Sequence, residues 1–247
     1  MANQTTDQVY VSLIIPVYNE ESRMEKSLDR IINFFASEPY ASEVIIVDDG
    51  SQDRTVDVIQ ERFGSKDGFR IYQLPRNTGK GGAVMQGMLR ARGDYLFFSD
   101  ADLSVPIHSL STFLAKLENY GEVAIGTRQR AGASIEVHQP FYREFMGKIY
   151  TWLANWILNL KVSDLTCGFK GFRREAAKEL FSRQQLKNWS FDAEILYLAR
   201  LKGYRITEVP IQWRNDERTK VRLWRDIASS FLGLLQIRLY DLRGIYR

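Results

Sequence analysis

Cysteine is nearly absent: Cys167 is the only one in 247 residues. That excludes an intrachain disulfide framework and fits a reducing compartment. Long hydrophobic runs are absent as well. No stretch reaches the ~20 apolar residues that a bilayer-spanning helix needs. The opening MANQTTDQVY lacks the apolar core of a signal peptide. The expected location is cytoplasmic, peripheral on the cytosolic face of a membrane. Glycine is missing where a dinucleotide fold needs it. The segment PVYNEES, which closes the first apolar run, has none. NAD and FAD sites use G-x-G-x-x-G there to bring backbone up to a pyrophosphate. A P-loop is excluded too. Around TGKGG, Leu74 stands in place of its first glycine and Gly81 in place of its Ser or Thr. There is no internal repeat, low-complexity tract or linker. One domain is expected, with residues 1–213 as its body and residues 214–247 as a C-terminal amphipathic extension.

Hydrophobic residues make up 45% of the chain, with 14 Phe, 12 Tyr and 5 Trp, enough for a sizeable core. The net charge of +4 sits entirely in the tail: residues 214–247 hold eight Lys/Arg against four Asp/Glu, and the rest balances. Such a tail points to an anionic partner, lipid headgroups or phosphate. The plainer reading is a solvated helix face. The tail alone does not make a nucleic-acid protein, and no nucleic-acid partner is expected.

Apolar runs and helical spacings alternate along the first half. VSLIIPVY, EVIIVDD, FRIYQL, DYLFFS and EVAIGTR read as strands. Between them, helices are expected over Glu20–Ala36, from Asp53 as N-cap to Phe63, from the Gly-rich turn at TGKGG to about Arg92, and near Ile107–Glu118. This alternation predicts an α/β fold with a mostly parallel sheet flanked by helices. RQRAGASIEVHQP reads as a loop. Phe141–Leu160 reads as a helix that is apolar nearly all round. LTCGFKGFRR reads as a short strand and turn, SFDAEILYLARLKG as an amphipathic helix, and YRITEVPIQW as a late strand. The tail from Thr219 reads as one or two amphipathic helices.

Polar clusters fall at four strand ends: Tyr18-Asn19-Glu20, Asp48-Asp49-Gly50-Ser51, Asp100-Ala101-Asp102 and Thr127-Arg128. Open α/β sheets bind ligands at that edge. If SDADLSVP continues extended, Asp100 and Asp102 point to one side. Two like charges so placed call for a cation, and Mg²⁺ or Mn²⁺ suits oxygen ligands with a diphosphate. A solvated acidic turn is the alternative. An acidic site of this kind suits a nucleoside diphosphate-sugar. Asp48 or Asp49 can accept from a base N–H or ribose hydroxyls, and Lys80 can add positive charge. Lys80 is otherwise a plain turn lysine.

In order, IIPVYNEE, VDDGSQDRT, NTGKGGAV and DADLS resemble the GT-A fold of glycosyltransferase family 2. FYREFMGK, DLTCGFKGF, NWSFDAEILYLA, EVPIQW and TKV narrow the resemblance to polyprenyl-phosphate sugar transferases, the dolichyl-phosphate β-glucosyltransferases above all. The resemblance implies inverting transfer of glucose from UDP-glucose to a polyprenyl phosphate. Mannose transfer from GDP-mannose and non-catalytic nucleotide-sugar binding are the alternatives. It places Pro16, Tyr18, Glu20, Asp49 and Lys80 at the nucleotide, and Asp100 and Asp102 at the metal and diphosphate. Arg128, Arg143 and Lys220 fall at the acceptor phosphate. Asp192 falls where relatives with hydroxyl acceptors carry a base; here it binds sugar hydroxyls, orients the acceptor, or merely caps a helix. Two positions depart from the pattern. Ser104 replaces the Gln usual in mannose synthases, and Arg218 replaces a Gly usual in glucosyl relatives. The resemblance also implies a membrane surface as partner. Phe141–Leu160 and the tail are expected at its interface, with Arg222, Arg225, Arg238, Arg243 and Arg247 facing headgroups.

Overall fold

A computed structural model describes residues 8–64, 66–215 and 223–247, with side chains in the last segment from residue 229. Its element order is β1 (Val11–Val17), α1 (Glu21–Ser37), β2 (Ser42–Asp48), α2 (Thr55–Phe63), β3 (Phe69–Gln73), α3 (Lys80–Arg90) and β4 (Tyr95–Ser99). Then come α4 (Ser109–Asn119), β5 (Val123–Thr127), β6 (Ser134–Val137), α5 (Phe141–Leu158), β7 (Phe169–Arg173) and α6 (Arg174–Arg183). The chain closes with α7 (Phe191–Leu201), β8 (Ile206–Pro210), β9 (Gln212–Arg214) and α8 (Leu223–Leu242).

Seven strands form one sheet in the order β3-β2-β1-β4-β7-β5-β8. All pairs are parallel except those of β7, which runs antiparallel to β4 and β5. Both faces are covered, so the strands read as continuous apolar runs rather than alternating ones. Within β1, Leu13 and Ile15 face a core built with α1, α2 and α4, while Ile14 faces the core of α3, α5, α6, α7 and α8.

The chain winds outward from β1 through β2 to β3, then crosses to β4 on the other side of β1. That reversal makes a switch point between β1 and β4. The crevice is real in the register. β1 pairs with β2 along its whole length, but with β4 only over Val11–Ile14. Pro16 therefore sits in a central strand without spoiling a ladder on the β4 side, where pairing has already stopped.

Four sequence readings of the elements need correction, the first being the N-cap of α2, which is Arg54 rather than Asp53. The loop expected over 128–140 contains β6, which pairs parallel with β9 in a second, two-stranded sheet. Its exposed and half-buried alternation gives too little apolar signal to read as a strand. The late strand is two strands, β8 and β9, broken at Ile211. Helix α7 is not amphipathic: every residue from Phe191 to Ala199 is buried, because α6 and α8 cover the side that the sheet does not.

Candidate active site

The site draws on four strand ends, of which those of β1 and β2 are laced together by side-chain to backbone bonds. Asn19, in left-handed backbone at φ 52°, donates its N–H to Ser51 Oγ at 2.8 Å and accepts from the Gln52 N–H at 2.7 Å. Glu20 donates its N–H to Thr55 Oγ1 at 2.7 Å, and its carboxylate is held by Arg23 at 3.1 Å. Asp48 accepts from the Ser51 N–H at 3.1 Å. Tyr18 stands half-exposed beside these loops.

Asp49 ties β2 to the Gly-rich turn. Its Oδ1 accepts from Thr78 N–H at 2.7 Å and Thr78 Oγ1 at 2.8 Å, and its Oδ2 from Gly79 N–H at 2.8 Å. Burial raises its pKa, only partly offset by those donors. Gly79 is needed here. Its φ is 95°, and a Cβ would come within 2.6 Å of the Lys187 carbonyl oxygen. The turn then launches α3 with Lys80 as its first residue.

Lys80 Nζ reaches Asp100 Oδ1 at 2.5 Å. Burial disfavours the ammonium, but the charges of Asp100 and Asp192 outweigh it and raise the Lys80 pKa. Asp100 and Asp102 do converge, though not by strand alternation. β4 ends at Ser99, and Leu103, at φ 48°, donates back to the Asp100 carbonyl at 3.1 Å, so the pair sits on a tight turn. Asp102 accepts from the Ser104 N–H at 2.9 Å. Burial first, and the Asp100 charge second, raise its pKa. Gly168, just before β7, backs directly against the Asp100 carboxylate.

Asp192 faces the same centre from the first turn of α7. It is not the cap, which is Ser190. Its partner is Lys170, a fully buried lysine in the middle of β7, with Nζ 2.5 Å from Asp192 Oδ1 and 2.6 Å from the Cys167 carbonyl oxygen. Burial raises the Asp192 pKa despite both lysines. Sequence reading passed over Lys170, although a lone lysine amid FKGF was its signal: a charge on a buried strand needs a partner.

Arg128, at the end of β5, spends its fork on Asp164: Nε to Oδ2 at 2.7 Å and Nη2 to Oδ1 at 2.9 Å. Nη2 also donates to Thr166 Oγ1 at 2.8 Å, and the guanidinium lies 5.2 Å from the Trp213 ring centre. Burial opposes both charges, yet the pairing raises the Arg128 pKa and lowers that of Asp164. Arg143, in the first turn of α5, differs. Its Nε is buried and has no hydrogen-bond partner among the described residues. The Glu144 charge bears on Arg128, which brings this turn near the β5 end. Lys220 and Arg218 lie outside the described residues. Sequence reading missed Thr78, Asp164 and Lys170 at the site, and also Trp189, whose ring centre lies 5.1 Å from Lys80 Nζ. No group of three or more His, Cys, Asp or Glu side chains gathers as a metal cage among the described residues.

Residues 12–181 match the model of glycosyl transferase family 2. The chain is 33% identical over 252 residues to the dolichyl-phosphate β-glucosyltransferase of Mus musculus, covering 96% of this chain and 77% of that protein. It is 34% identical to the Saccharomyces cerevisiae enzyme of the same name, covering 99% and 79%. Among solved structures, it resembles the glucosyl-3-phosphoglycerate synthase of Mycobacterium tuberculosis in complex with Mn²⁺, UDP and glucosyl-3-phosphoglycerate. The TM-score is 0.68 at 18% identity, over 93% of this chain and 80% of that one. The mannosyl-3-phosphoglycerate synthase of Rubrobacter xylanophilus gives a TM-score of 0.69 at 18% identity, over 96% and 74%. The polar centre at the β1–β4 switch point is thus carried on a GT-A fold, and the chain belongs to glycosyl transferase family 2, as a glycosyltransferase whose curated relatives are dolichyl-phosphate β-glucosyltransferases.

Proposed function

We propose that this protein transfers glucose from UDP-glucose to a dolichyl-type polyprenyl phosphate, giving a β-linked lipid-phosphate sugar with inversion. The observation that carries the reading is Lys80 held on Asp100 at the switch point, beside Asp102. An ammonium and an acidic pair there suit a nucleoside diphosphate as leaving group. The names of relatives at 30–34% identity supply the acceptor and the sugar.

Asp100 and Asp102 fit a hard divalent ion. They offer carboxylate oxygens that are only partly covered, and the charge of one already disfavours ionisation of the other. Asp100 and Asp102 would hold such an ion, with diphosphate oxygens and waters as its other ligands. When bound, Mg²⁺ or Mn²⁺ supplies positive charge against the departing diphosphate.

A phosphate monoester has a second pKa of about 6 and is already ionised near neutral pH. It needs positioning more than a base. One of its oxygens forms the bond to the anomeric carbon as the bond to UDP breaks, and no proton has to move. Arg143, with a buried Nε left over, suits the acceptor phosphate, and Arg128, braced by Asp164, suits the same anion at the β5 end. Asp192, neutralised by Lys170, suits a sugar hydroxyl better than a second anion. Pro16, Tyr18, Glu20, Asp48 and Asp49 shape the nucleotide end.

The acceptor's isoprenoid chain needs an apolar surface. Helix α5 presents Phe141, Phe145, Trp152 and Trp156 on one face, with Trp156 75% exposed. Helix α8 packs against α5 and presents Leu232, Leu235, Leu239 and Leu242. No helix of the described residues is long and apolar enough to cross a membrane. These stripes suit a membrane interface, with the enzyme peripheral on the cytosolic face.

The test is turnover of UDP-glucose with a polyprenyl phosphate in detergent, with and without Mg²⁺. The expected result is UDP and a β-linked glucosyl lipid, with GDP-mannose inert. Turnover of GDP-mannose alone, or of neither donor, rejects the assignment.

A further inference from the structure

Trp189 is a half-exposed aromatic that the nucleotide and acceptor roles leave unused. It is 40% exposed and lies in the turn just before α7. Its ring centre is 5.1 Å from Lys80 Nζ, and Lys80 is itself on Asp100. Three residues further on, Asp192 enters the same centre. The indole therefore stands beside Lys80, on the turn that leads into Asp192.

Its backbone is braced. The Gly82 N–H donates to the Lys187 carbonyl at 3.2 Å, the Ser190 N–H to Asn188 Oδ1 at 3.0 Å, and the Phe191 N–H to the Asn188 carbonyl at 3.2 Å. Gly79 and Gly81 admit this turn: a Cβ on either would strike Lys187, Asn188 or Phe191. The glycines that shape the start of α3 thus also fix where Trp189 stands. A large aromatic held on a rigid turn, with much of its surface open, is suited to recognition at low entropic cost.

We propose that Trp189 is the platform on which the donor's hexose ring stacks. Glucose keeps its hydroxyls equatorial, so an α-linked donor, with its diphosphate axial at C1, still offers the apolar C–H groups of its C3–C5 edge to an indole. The inference rests on the donor being a UDP-sugar and names the residue that reads its sugar. Lys80 and the acidic pair hold the diphosphate, the indole holds the ring, and Asp192 takes a hydroxyl.

Calorimetry of the full chain, titrated with UDP and separately with UDP-glucose at fixed Mg²⁺, tests this. For Trp189→Leu the UDP affinity is expected to change by less than about twofold and the UDP-glucose affinity to fall by about tenfold. Trp189→Phe should lie between, since a smaller ring keeps part of the face. Equal losses for both ligands would mean that Trp189 only seats Lys80, and would overturn the proposal. So would unchanged affinity for both. If Trp189→Leu does not fold, the same comparison on Trp189→Phe and Trp189→His decides. Failure of the wild-type protein to bind UDP-glucose while binding UDP rejects the donor instead.

Discussion

Asp102 and Arg143 separate the two halves of the chemistry. Asp102→Asn keeps volume and removes charge from a pair that repels, so the melting temperature should hold or rise. Turnover should fall by about a hundredfold or more; wild-type turnover at saturating metal would remove the acidic pair from the site. Arg143→Ala should raise the acceptor KM by about ten- to a hundredfold, the worth of one or two charge-assisted bonds. UDP affinity, measured by calorimetry, should stay within about twofold; matched losses would place Arg143 in the nucleotide subsite. The Arg128–Asp164 pair gives a pH test. Burial pushes the Asp164 carboxyl up, but the Arg128 bonds outweigh it and hold it below its ordinary value. Its stabilising contribution is therefore present above the unfolded pKa of about 3.9 and is lost as pH falls through the lower folded value. Asp164→Asn strands Arg128 in a buried setting and should cost about 3–5 kcal/mol at neutral pH. The gap between the two melting curves should close in strong acid, and a gap constant with pH would rule out the pair as its cause. Asp100 and Asp102 were legible as polar residues at a strand end, and Lys80 through the Gly-rich turn that leads into α3. Asp164, Lys170 and Trp189 were not, because their roles depend on which partner the fold brings across dozens of residues.

Among the elements, β7 does the most for the site and was the least readable. Its antiparallel run between β4 and β5 carries Lys170 to Asp192 and sets Gly168 behind Asp100. Five residues with one glycine and one lysine give no periodicity, so the sequence yielded a strand and a turn but neither direction nor neighbours. The same holds for α6, which follows β7 without a break and hides in a charged stretch. The long parallel strands were legible for the opposite reason: burial on both faces leaves an unbroken apolar run. Gly168→Ala tests what β7 contributes. A Cβ there would lie 1.9 Å from Asp100 Oδ2, far inside the contact distance of non-bonded atoms. Asp100 must swing aside, and misplacement by about 1 Å costs on the order of a hundredfold in rate. The expected result is a folded protein with turnover lowered to that extent; wild-type kcat would show that Asp100 can move without loss.

For the whole molecule, the question is what the outer faces of α5 and α8 meet. Both helices have a buried side: Tyr150, Ala154 and Leu158 on α5, Leu234 and Ile237 on α8. Tyr246, beyond α8, donates to Glu194 at 2.6 Å inside the core. Deleting Leu223–Arg247 would therefore remove two buried aliphatics at about 2–5 kcal/mol each and strip Glu194 of a donor. That deletion is expected to unfold the domain and says nothing about membranes. The informative change touches the open face alone. Leu232, Leu235, Leu239 and Leu242 are all exposed, Leu242 at 75%, so converting the four to Gln should cost only a few tenths of a kcal/mol each. If the stripe lies in a bilayer interface, flotation with anionic liposomes should be lost while the melt stays cooperative. Salt should loosen wild-type binding only modestly. Arg238 is spent on Tyr197 and Asp241, which leaves exposed Arg243 and Arg247 to meet headgroups at about 1 kcal/mol each; Arg222, and the side chain of Arg225, lie outside the described residues. Apolar contact must then carry most of the affinity. Unchanged flotation of the four-Gln protein would reject α8 as the contact, and a repeat with Trp152 and Trp156 changed to Gln would assign the surface to α5 or dismiss both.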